Sequence, residues 1–93
     1  MIETLVELLS DADEIKRTLR LYFFDDEVYD LTGFVVGQDT GEEYPHCTAV
    51  HVHPVRVPEH KLKHFSSDTA MFFLLNEIME VRDAATEKLL FAA

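Results

Sequence analysis

The feature that most constrains this chain is the alternation running through residues 16–36. Leu19, Leu21 and Phe23 fall on one face of an extended segment, and Arg20, Tyr22 and Phe24 on the other. A period of two is what a strand with one buried face requires. Asp25-Asp26-Glu27 then breaks the pattern with three carboxylates, a composition suited to a tight charged turn. Val28–Val36 resumes it, with Tyr29, Leu31, Gly33 and Val35 expected on one face. Residues 16–24 and about 28–38 therefore predict a hairpin. Gly33 inside its second strand marks a bulge or sharp bend, the means by which a short sheet curls on itself.

Around this hairpin the remaining elements are expected as follows. Ile2, Leu5, Val6 and Leu9 recur at helical spacing, which predicts a short amphipathic helix over residues 2–10. A helix that short is unstable alone and must lay its apolar stripe on the rest of the chain. Gln38–Glu43 reads as loop by composition. Residues 48–57 are rich in β-branched side chains and predict a third strand, with Pro54 marking an edge or a bend. Pro58–Asp68 is a polar connection. Residues 70–93 contain no Gly or Pro and admit two readings. Met71, Leu75, Ile78, Ala85 and Leu89 would line a long helix, but Arg82 falls on the same stripe. In the alternative, Glu77, Met79 and Val81 form one strand face and Ile78, Glu80 and Arg82 the other. The expected fold is mainly β: one domain over residues 1–93, an N-terminal helix and a five-stranded, strongly bent antiparallel sheet. Its last two strands would cover about 70–82 and 87–91, joined by Ala84-Ala85-Thr86-Glu87. An α+β fold with a C-terminal helix is the alternative.

Composition narrows the function classes. Hydrophobic residues make up 47% of 93, enough for one core and too many for a disordered tail. The longest wholly apolar run, Ala70–Leu75, is far below the ~20 residues of a membrane span. With no signal-like start, the expected address is cytoplasmic and no membrane partner is implied. Eighteen carboxylates against eight Lys and Arg give a formal charge of −10. That balance argues against nucleic acid, whose binding needs clustered cations to replace counterions; a local basic strip is still open, for example Lys61 and Lys63 with His60 and His64. No Gly-rich phosphate loop or other cofactor motif occurs, and Ser66-Ser67-Asp68 has no strand-turn-helix elbow around it.

Gly33-Phe34-Val35-Val36-Gly37-Gln38-Asp39 resembles the first motif of the Sm-like family, whose heart is Gly-x-apolar-x-Gly-x-Asp at the end of the second strand. Asn76-Glu77-Ile78-Met79-Glu80-Val81 is similar to the second Sm motif, where a polar residue precedes apolar positions three apart. The family's order of elements, helix then five strands with a variable segment between the third and fourth, is the order expected here. The resemblance implies a small Sm-like barrel and possible ring assembly. It does not carry the family's RNA-reading residues. Glu42 and Glu43 stand where the family has Met-Asn, and Phe73, Leu74 and Leu75 stand where it has apolar-Arg-Gly. What it implies is therefore a homo-oligomer with a possible protein partner and no enzymatic activity, with a divergent RNA-binding Sm-like protein as the alternative.

Several side chains are candidates for a site. His51 and His53 share one strand face about 7 Å apart and would meet one Zn²⁺, Mn²⁺ or Fe²⁺ if Glu59, His60 or His64 completed the set. A small metal-binding domain is thus a further alternative. The plainer expectation is two solvated imidazoles alternating with buried Val50 and Val52. Asp25, Asp26, Glu27, Asp30, Asp39, Glu42 and Glu43 are expected to be solvated turn and loop carboxylates. Cys47 beside His46 is either a reactive thiol or, more ordinarily, a small buried hydrophobe. Phe24, Phe72 and Phe73 are interface candidates, because one member of each Phe-Phe pair must face away from the core.

Overall fold

A computed structural model describes residues 2–37, 45–65 and 69–93. The elements are α1 (Ile2–Glu14), β1 (Leu19–Phe23), β2 (Val28–Gly37), β3 (His46–Arg56), a four-residue helix α2 (Glu59–Leu62), β4 (Met71–Leu74), a 3-10 turn (Leu75–Glu77), β5 (Ile78–Asp83) and β6 (Leu89–Ala92). The fold is mainly β, and the long C-terminal helix does not form. All six strands belong to one antiparallel sheet in the order β4-β3-β2-β1-β5-β6.

That order and one short connection fix the shape of the sheet. β4 and β5 are separated by β3, β2 and β1, so a flat sheet would hold them about 19 Å apart. The chain joins them with three 3-10 residues, which span only about 6 Å. The sheet must therefore curl until its two halves face each other. It is not closed into a barrel: β4 and β6 are its edges, each paired on one side. The single strand expected over 70–82 is thus two strands on different neighbours, and six strands replace the expected five. Leu75 carries the break, its side chain buried and its N–H donating to the Pro45 carbonyl at 3.0 Å.

α1 runs four residues beyond the expected end because Ala12 extends the buried stripe of Leu5 and Leu9 by another turn. It stops at a Schellman cap. The Arg17 amide donates to the Ala12 carbonyl and the Lys16 amide to Asp13, with Lys16 in the left-handed region at φ 53°. Lys16–Thr18 therefore belongs to the cap rather than to β1. Leu5, Leu9 and Ala12 close over a core built from Leu19, Leu21, Leu31, Phe34, Phe73 and their neighbours.

Gly33 bends the β2–β3 ribbon. It sits at φ +73°, and a Cβ there would lie 2.3 Å from Val50 Cγ2. Pairing runs from Thr32–His51 to Phe34–Ala49 in an unbroken register, with Gly33 opposite Val50 but the two not paired in the ladder. The inward face therefore passes from Leu31 to Phe34 and from Val52 to Ala49. Val35 ends up exposed rather than beside Leu31, and Val50 is exposed rather than buried.

Candidate functional site

Past the bend, the outer face of β2, β3 and β4 carries a row of cross-strand neighbours. Val35 pairs with Thr48, which pairs with Phe72. Val35 is 61% and Phe72 62% exposed. In the next row Gly37 pairs with His46 and His46 with Leu74. The His46 ring lies over Gly37, where a Cβ would come within 2.1 Å of Nε2, and against Phe72 with ring centroids 5.1 Å apart. The His46 Nδ1 atom is buried there and has no hydrogen-bond partner among the described residues. β4 is also a sheet edge, and its sequence, Met-Phe-Phe-Leu, holds no charge and no proline. The Leu75–Pro45 bond sets the ladder's alternation and leaves the backbone groups of Phe72 and Leu74 on the outer side. Glu77 Oε2 accepts the Leu74 N–H at 3.3 Å.

The interface candidates separate accordingly. Phe72 is on the surface. Phe24, 60% exposed, stands on the β1–β2 turn, and α1 covers neither ring. Phe73 is a correction: at 2% exposure it packs edge-on against Phe23, with centroids 5.4 Å apart, and belongs to the core. Adjacent strand residues point to opposite sides, so exposing one ring buries the next.

His51 and His53 lie exposed on the outer face of β3, opposite Thr32 and Asp30. Asp30, the nearest carboxylate across the ladder, is held by Arg20 through Nε–Oδ1 at 2.8 Å and Nη2–Oδ2 at 3.1 Å. Among the described residues no three His, Cys, Asp or Glu side chains gather into a metal site, so Glu59, His60 and His64 do not complete the pair. Cys47 is fully buried, and that burial pushes its thiol up to about 12. His46 lies on the opposite side of the strand and does not activate it. Asp39, Glu42, Glu43 and Ser66-Ser67-Asp68 lie outside the described residues.

One network is absent from the sequence-based expectations. Glu27, read there as a solvated turn residue, is only 8% exposed. Its carboxylate accepts the Tyr29 hydroxyl and the Lys61 ammonium, each at 2.5 Å. Burial alone would raise its pKa; the bonds from Lys61 and Tyr29 outweigh that and hold it below the ordinary value. Burial and the neighbouring carboxylate in turn push the Tyr29 hydroxyl well above its ordinary value. The Lys61–His64 strip thus commits one of its two lysines to Glu27. Glu27 is followed by buried Val28 and Tyr29, so a strand already begins beside it. Its long-range partner Lys61 lies 34 residues away and leaves no local signal.

In comparison with known proteins, the chain matches no family model, no curated protein and no solved structure.

Proposed function

We propose that the chain is an Sm-like module, an open curled sheet rather than a closed barrel, whose work is self-assembly and protein interaction, without the RNA-reading residues of that family. The observation that carries the reading is the uncharged β4 edge bearing exposed Phe72, in one cross-strand row with Thr48 and exposed Val35. Natural edge strands are guarded with charge, proline or covering elements; among the described residues β4 has its shortness and the Glu77 carboxylate on the Leu74 N–H, which leaves the backbone of Phe72 open. Support for the Sm-like reading comes from the curl of the sheet, the bend at Gly33 and the long β3–β4 connection. Phe73 and Leu75, where the family has RNA-contacting positions, are core side chains. Among the described residues the RNA-binding alternative finds little basic surface, and the metal-binding alternative finds no third ligand beside His51 and His53.

Phe72 supplies one part of the driving force for association. Burying the 62% of Phe72 that faces solvent removes about 120 Å² of apolar surface per copy, about 3 kcal/mol. A symmetric pair doubles this to about 6 kcal/mol, which offsets part of the ~4–15 kcal/mol cost of association and leaves the rest to neighbouring groups. Val35 and the edge hydrogen bonds add to it. Size-exclusion chromatography with light scattering is the test. The wild type is expected to elute as two or more copies at high micromolar concentration, and Phe72→Lys as one. A wild-type monomer at that concentration refutes the assembly reading.

A further inference from the structure

A second surface lies on the other side of the 3-10 turn, at the β1–β2 turn. A cavity of about 370 Å³ opens there, walled by Phe23, Phe24 and Tyr29 and edged by Asp25, Glu27 and Glu77. Its polar groups are oriented. Asp25 Oδ1 accepts the Glu27 N–H at 3.0 Å, and Glu77 Oε2 accepts the Leu74 N–H. Glu27 is paired with Lys61, and among the described residues neither Asp25 nor Glu77 has an ion-pair partner. Three carboxylates thus stand at the cavity and only Glu27 is ion-paired; the Arg56 guanidinium, which donates to the Asp26 carbonyl, lines an adjoining pocket with Asp25 and Glu27 and forms an ion pair with neither.

We propose that this cavity receives a basic side chain, arginine or lysine, from a segment of a protein partner. Aromatic faces and carboxylates together favour a cation with an apolar stem. The same charges reject phosphates and nucleotides. A bare metal ion is disfavoured too, because the described carboxylates do not converge into a coordination set. The volume lies near the lower end of the range for ligand pockets, ~300–1,000 Å³, and suits one side chain rather than a dinucleotide. One of the wall carboxylates, Glu27, already holds an ammonium, that of Lys61. The formal charge of −10 draws cations toward the molecule.

A second groove makes the occupant a peptide rather than a free amine. It is about 230 Å³, lined mainly by Leu5, Leu75, Ile78 and Phe91, and shares Phe24 and Asn76 with the first cavity. Phe24 therefore divides an acidic subsite from an apolar one. A partner segment with a basic residue next to an apolar one would fill both, with Phe24 between its two side chains.

The test is a titration of ¹⁵N-labelled protein with acetyl-Arg-Leu-amide, followed by amide chemical shifts. Acetyl-citrulline-Leu-amide, of the same shape without the charge, is the control. Saturable shifts are expected at Phe24, Asp25, Asn76 and Glu77, with Kd at least about tenfold higher for the citrulline probe. Asp25→Asn with Glu77→Gln keeps both backbone acceptors and should raise Kd for the arginine probe by a similar factor. No saturable shift, shifts centred elsewhere, or equal affinity for the two probes overturns the proposal. The titration in a Phe72→Lys background should give the same Kd, so it stands whether or not the chain self-assembles.

Discussion

Glu27 and Tyr29 form the tightest buried polar contact in the described chain, and its removal has a calculable consequence. Tyr29 is buried, and its hydroxyl donates to Glu27 Oε1 at 2.5 Å. Glu27→Ala takes away that acceptor and leaves a hydroxyl with no partner, which costs about 1–3 kcal/mol. Tyr29→Phe removes the hydroxyl itself and leaves Glu27 its bond to Lys61, costing about 0.5–1.5 kcal/mol. The double variant has no orphaned group, so it should be more stable than the sum of the single losses predicts. The expected coupling is about 1–2 kcal/mol. Glu27→Gln keeps an acceptor oxygen for Tyr29 and should be milder than Glu27→Ala. Urea unfolding followed by circular dichroism, at one fixed protein concentration, measures all four chains and the wild type. In a domain of this size 1 kcal/mol also moves Tm by about 4–8 °C, so thermal melts give a second reading. Single losses that add within about 0.3 kcal/mol would refute the contact.

Two further outcomes follow from named contacts. Gly33→Ala puts a methyl 2.3 Å from Val50 Cγ2 at a left-handed φ, and should destabilise the chain by about 2–4 kcal/mol; Val50→Ala should relieve the steric part and leave the backbone part, and a neutral Gly33→Ala would contradict the bend. Asp83 is held at about 2 by the backbone amide of Thr86, with the Arg17 guanidinium and the Ala85 amide adding to it. A folded value below the unfolded one contributes stability that is complete above about pH 4 and is lost as pH falls toward 2, so Asp83→Asn should flatten the acid limb of a stability–pH curve, and an unchanged limb would count against this.

The sequence reading succeeded where one local rule governs. The period of two in Leu19, Leu21 and Phe23 marks the buried face of β1, and Asp25-Asp26-Glu27 marks the turn. It failed where a distant contact decides. Nothing near Leu75 signals that its N–H will bond Pro45, the contact beside which one expected strand becomes two. Gly33 predicts a bend but not the change of face beyond it, which sends Val35 and Val50 outward. Of the candidate surface, Phe24 and Phe72 were legible as rings that a strand must turn away from the core. The acidic-aromatic cavity was not, because its walls come from residues 23–29 and 71–77 and meet only when the sheet curls.

The most direct measurement is an isotope-filtered NOE experiment on an equal mixture of ¹³C,¹⁵N-labelled and unlabelled chains. Self-assembly through β4 predicts intermolecular contacts to the Phe72 ring and the Val35 methyls. Intermolecular contacts confined to β6 or α1, or none at a concentration where light scattering reports an oligomer, would contradict it.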